Sequence, residues 1–155
     1  MQTSDRSRPT SMLRRPRKAI TATTNVGATW AGPVTMTGDT LVRTHTSGEL
    51  GTISGVIGGV GRLTLNGGGT IQILGTSSNT YLGTTVIDSG STTGVVILGK
   101  TGGAFAISGP VLMGGFNANQ PNLRMAADNQ FAPGVVVTLV NNSGNWTRVD
   151  LHGTN

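Results

Sequence analysis

The sequence predicts an all-β chain coiled as a solenoid, in which each short strand stacks on its equivalent one coil later. Three observations carry this expectation. First, helix formers are scarce: one Glu (Glu49), two Lys and four Gln stand against 25 glycines and 24 threonines in 155 residues, a balance that favours pleated over helical backbone. Second, apolar and polar residues alternate with period two in short segments, each closed by glycine, as a half-buried strand requires. Third, charged residues make up only 11% of the chain. In stacked coils equivalent side chains lie about 4.8 Å apart, where Thr, Asn, Val and Ile sit comfortably and like charges repel.

Taken in order, residues 1 to 29 read as a basic leader without apolar periodicity, either disordered or a misassigned start. Arg6, Arg8, Arg14, Arg15, Arg17 and Lys18 face only Asp5, so the net charge of +5 resides there and the remaining chain is neutral. That distribution, with no aromatic interleaved among the arginines, argues against a specific nucleic-acid surface. Cysteine is absent, which excludes disulfides and thiolate metal sites. No apolar run approaches the length of a membrane helix, so direct membrane insertion is not expected.

Residues 30 to 155 read as the solenoid segment. Val34–Gly38, Arg62–Gly67, Thr70–Gly75 and Ala104–Gly109 are patterned as strands. The Asn-Gly pair that marks tight hairpins occurs only at Asn66-Gly67, which favours coils over antiparallel ribbons. A coil length of roughly 20 to 25 residues fits the spacing of these segments.

Ile53-Ser54-Gly55-Val56-Ile57-Gly58-Gly59, then Gly61-Arg62-Leu63-Thr64-Leu65-Asn66-Gly67-Gly68-Gly69-Thr70-Ile71, then Asn79-Thr80-Tyr81-Leu82-Gly83-Thr84-Thr85-Val86 follow one another in the chain. In order and spacing this stretch resembles the autotransporter-associated β-strand repeat, most closely over residues 50 to 90. The resemblance implies a right-handed parallel β-helix, a passenger segment displayed outside a bacterial cell. It also marks Gly55, Gly67, Gly69, Asn79, Tyr81, Gly83 and Thr85 as structural signature positions. Neighbouring coils of a longer parent chain are then the expected partners, with surface glycans or other cells as further ones. The chain is accordingly expected to be a piece of a longer repetitive protein.

Chemical motifs are few. Gly94-Val95-Val96-Ile97-Leu98-Gly99-Lys100-Thr101 fits the phosphate-loop expression letter for letter. Its apolar run lies between the two glycines, however, and Gly102-Gly103 follows where a helix would have to begin, so it reads as a buried strand. His45 and His152 lack partners at metal-ligand spacing, and no cofactor is expected. An alternative reading is a carbohydrate-active or carbohydrate-binding β-helix. Asp128 and Asp150, about one coil apart in sequence, would stack as an acidic pair, and Trp146, with Trp30 and Tyr81, would offer a platform for sugar rings. The main expectation remains a non-catalytic structural or adhesive segment at the bacterial surface.

Overall fold

The computed structural model describes residues 18–22, 27–88, 94–114, 120–140 and 146–151. Among them there are fourteen strands and no helix, and every strand pairing is parallel.

The strands sort by turn of the coil. One sheet stacks β1 (Lys18–Ala22), β4 (Thr40–Thr44), β7 (Leu63–Gly67), β9 (Thr85–Asp88), β11 (Val111–Gly114) and β13 (Val137–Val140) in that order. The second stacks β2 (Ala28–Trp30), β5 (Leu50–Ile53), β8 (Thr70–Gly75), β10 (Val95–Lys100), β12 (Asn122–Met125) and β14 (Arg148–Asp150). The third side begins with β3 (Val34–Thr37) on β6 (Ile57–Val60). The chain is therefore a parallel β-solenoid with three sides. The Asn-Gly pair forms no hairpin, since Asn66 and Gly67 lie inside β7 and pair with neighbouring coils.

Register makes each coil a near copy of the last. Lys18, Thr40, Leu63, Thr85, Val111 and Val137 occupy one position of the first sheet. The steps from Lys18 through Thr85 are nearly equal, and the later ones, to Val111 and then to Val137, are each longer. On the inner face, Val42, Leu65, Ile87 and Met113 form one buried column, and Ile53, Ile73 and Leu98 form another. Ile71, Val96 and Leu123 make a third. Burying each such side chain contributes roughly 1.5–3 kcal/mol, and truncating one to alanine in a close-packed core costs about 2–5 kcal/mol.

Three threonines also point inward, each with its hydroxyl bonded. Thr85 Oγ1 pairs with the Tyr81 hydroxyl at 2.7 Å, Thr44 Oγ1 accepts the Gly69 amide at 3.1 Å, and Thr40 Oγ1 donates to the Gly38 carbonyl at 3.1 Å. A buried hydroxyl without such a partner would cost more than the fold gains from its methyl group.

The structure corrects the sequence reading in two places. Parallel pairing reaches back into the basic leader, because Lys18–Ala22 lies on β4 and Ala28–Trp30 lies on β5. The cause is long-range: a neighbouring strand edge recruits a segment whose own pattern is weak. Residues 1 to 17 lie outside the described residues. Conversely, the segment Ala104–Gly109 forms only an isolated bridge, Ile107 to Phe131. Its amides are satisfied otherwise: those of Ala106 and Ile107 share the Gln130 carbonyl, and that of Phe105 goes to Ser78 Oγ.

Candidate functional site

The signature residues are spread over all three corners of the coil, and their work is structural: Gly67 and Gly69 flank the turn between β7 and β8, Gly55 and Asn79 lie between the second sheet and the third side, and Tyr81, Gly83 and Thr85 lie where the chain enters the first sheet. Asn79 is buried and spans three coils: its Oδ1 accepts the Ile57 amide at 2.8 Å and its Nδ2 donates to the Ala106 carbonyl at 2.7 Å. A carboxamide carries an acceptor and a donor side by side, so it can replace a strand pairing that the turning backbone no longer makes. Tyr81 is 1% exposed. Burial pushes its phenol up to about 12, opposed by the hydrogen bond to Thr85.

Gly55, Gly67, Gly69 and Gly83 share another reason. At each, a Cβ would overlap a carbonyl oxygen of the preceding coil, those of Gly32, Thr44, Glu49 and Gly61 respectively. Backbones meet so closely at these corners that only glycine fits.

The corner at the end of β10 carries polar groups that sequence reasoning missed. Lys100 is 1% exposed. Its amide donates to Gln130 Oε1 at 2.9 Å, its carbonyl accepts from Gln130 Nε2 at 2.8 Å, and its Nζ donates to the Leu74 carbonyl at 3.1 Å. Desolvation holds its ammonium below the ordinary lysine range. The parity Val96, Leu98, Lys100 was the available signal, since the same period-two face that buries the valine and leucine also buries the lysine. The phosphate-loop lookalike is thus strand β10, with its lysine inside the coil wall.

Glu49 is a further buried polar group. The His45 amide, backed by Thr46, holds its carboxylate below the usual range against the cost of burial. His45 itself is exposed and serves through its backbone; His152 lies outside the described residues.

The acidic pair of the alternative reading does not stack. The last coils are longer than the early ones, so Asp150 lies opposite Arg124, and Asp128 sits exposed in the turn after β12. Asp150 Oδ2 is 3.5 Å from Arg124 Nε and 3.9 Å from an Arg148 guanidinium nitrogen, a neutralised carboxylate. The aromatic platform fails too. Tyr81 is core, Trp30 is in the first strand of the second sheet, and Trp146 precedes the sixth, about 24 Å along the axis at 4.8 Å per coil. A groove of about 360 Å³ lined by Pro33, Ser54, Gly55, Gly75, Thr76 and Ser77 holds neither a carboxylate nor an aromatic ring. Among the described residues there is no group of three or more His, Asp or Glu able to hold a metal ion.

Outward-facing side chains instead link coil to coil. Asp39 holds Arg62 through both the backbone amide, at 3.0 Å, and the guanidinium, at 3.1 Å. Thr52 donates to Gln72 at 3.1 Å, and Asn66 to Asp88 at 3.4 Å. With the Arg124–Asp150 pair, these bonds run along the solenoid axis and across consecutive turns. No protein family, curated protein or solved structure matches this chain.

Proposed function

We propose that the chain is a non-catalytic structural and adhesive segment, a β-helical stalk carried on the outside of a bacterial cell. The observation that carries this reading is the direction of its polar chemistry. Asp39–Arg62, Thr52–Gln72, Asn66–Asp88 and Arg124–Asp150 each join one coil to the next, and Asn79 and Gln130 do so from the corners. A structure whose side chains cross-link its own turns resists fraying along its length. The resemblance of residues 50 to 90 to the autotransporter-associated repeat supplies the location, and the outward columns, mixed in chemistry as in Thr29, Thr52, Gln72, Ile97 and Arg124, supply weak contact surfaces for glycans or neighbouring cells.

Protease treatment of intact producing cells, followed by detection with an antibody against this segment, tests the location. Loss or release of the signal from intact cells is the expected outcome. A signal that changes only after lysis overturns the surface assignment.

A further inference from the structure

The chain has a single Asn-Gly pair, Asn66-Gly67, and the structure places it inside a strand. Asn66 pairs with Arg43 of the coil before and Asp88 of the coil after, and its Nδ2 donates to Asp88 Oδ2 at 3.4 Å. Gly67 ends the strand with a φ of +152°. Its backbone is held from both sides: a Cβ at Gly67 would overlap the Thr44 carbonyl oxygen, and a Cβ at Gly94 would overlap that of Gly67. The free space among Leu65, Asn66, Gly67, Asp88 and Gly94 is about 10 Å³, the lower limit for one water molecule.

An asparagine before glycine carries its own chemistry, because no Cβ shields the glycine nitrogen. The Gly67 nitrogen attacks Asn66 Cγ, a new N–C bond closes a succinimide ring, and the Asn66 amide leaves as ammonia with the proton that Gly67 gives up. Water then opens the ring at either carbonyl. One opening leaves aspartate. The other leaves isoaspartate, in which the main chain runs through the former side chain and gains a methylene.

The coil closes the first step. Ring closure turns the Gly67 nitrogen toward the Asn66 side chain by rotation about ψ, away from the value of about +115° in a parallel strand. That rotation would pull residue 66 off both Arg43 and Asp88. In the unfolded chain nothing holds ψ. The isoaspartyl product is in turn incompatible with rewinding. Its added methylene displaces the main chain just before a corner where Gly67, Gly69 and Gly94 leave no space even for a Cβ. The aspartyl product is milder: it loses the donation to Asp88 and sets two carboxylates one coil apart, with Arg43 on the other side.

We propose that Asn66 is a site of spontaneous deamidation that the coil closes and unfolding opens, so that a chain left unfolded acquires isoaspartate at residue 66 and can no longer rewind. The inference rests on the fold and not on export, so its failure would leave the surface assignment standing.

The full chain held in urea at mildly alkaline pH, with circular dichroism confirming that it is unfolded, is compared with the same chain in buffer alone. Peptides spanning residue 66 are mapped by mass spectrometry over time. Deamidation is expected in urea, and at least about a hundredfold more slowly without it, since only the opened fraction reacts. On dilution from urea, the share of chains regaining the β signal should fall as isoaspartate accumulates, and the soluble refolded fraction should be depleted of it. Asn66→Gln, which keeps a carboxamide on a longer arm that closes the ring poorly, should refold undiminished after the same ageing; Asn66→Thr replaces it should the glutamine variant lose its β signal. A folded chain that deamidates at residue 66 as fast as the unfolded one overturns the proposal. So does isoaspartate shared equally between refolded and aggregated chains, or a variant whose refolding declines as fast as that of the unsubstituted chain.

Discussion

The backbone of Lys100 is paired by the side chain of Gln130, 30 residues away, whose carboxamide accepts the Lys100 amide at 2.9 Å and donates to the Lys100 carbonyl at 2.8 Å. One side chain here does what a strand does elsewhere in the coil. Gln130→Leu is expected to leave both Lys100 backbone groups unsatisfied in a buried corner, at a cost of about 1–3 kcal/mol for each. Urea unfolding should show the midpoint falling with the slope unchanged; a loss well below about 1 kcal/mol would mean that water replaces the amide.

Gly83→Ala places a Cβ against the Gly61 carbonyl oxygen, where backbone and not a flexible side chain must give way. The expected loss is about 1–3 kcal/mol, in the range of overpacked sites, read by thermal melting. The same substitution at Gly38, where nothing lies near a Cβ, serves as the control and should change the melt little.

Tyr81 makes stability depend on alkaline pH. Its folded pKa lies about 12 against a reference of 10.0. The phenol ionises more readily in the unfolded chain, so stability complete below pH 10 is lost as pH rises toward 12. Tyr81→Phe should flatten the decline in melting temperature across that window, and an unchanged decline would place its origin elsewhere.

Lys100 acts with the opposite sign. Its folded pKa is depressed below 10.5 by desolvation, so the unfolded chain binds the proton more tightly, and stability rises with pH until the unfolded lysine also titrates. Lys100→Met should remove that rise while leaving the chain at least as stable at neutral pH, because an apolar group replaces a desolvated cation. Chemical denaturation from neutral pH up to the ordinary lysine range distinguishes the variant from the unsubstituted chain; equal slopes in the two would show that the rise comes from other groups.

Asp150 between Arg124 and Arg148 has little need of a metal ion. Calcium is expected to leave the melting temperature unchanged, and Asp150→Asn to cost under about 1 kcal/mol, as exposed ion pairs do. A rise of several degrees with calcium would revive the acidic-pair reading.

The strands were legible in the sequence wherever the pattern was local. Leu63 and Leu65, or Ile71 and Ile73, announce their face by alternation alone, and the structure buries them. The corners were less legible because their hydrogen bonds join residues from different coils, as Asn79 joins Ile57 and Ala106. Gln130, isolated in a turn, gives no local sign of its partner. The spacing of Asp128 and Asp150 misled for a related reason: it matched the length of the early coils, while the later coils are longer. Likewise Lys18–Ala22 becomes a strand only because β4 offers it an edge.

The lengthening of the coil toward its last turns bears on how such a chain can evolve. Height along the axis is counted in strands, about 4.8 Å for each turn whether the turn is a short early one or a long late one. The additional residues leave the ladder intact. Insertions at the corners therefore decorate the sides without altering reach, whereas duplication of a whole turn lengthens the rod by one fixed unit. Surface variety and length are thus separately heritable properties of the same molecule.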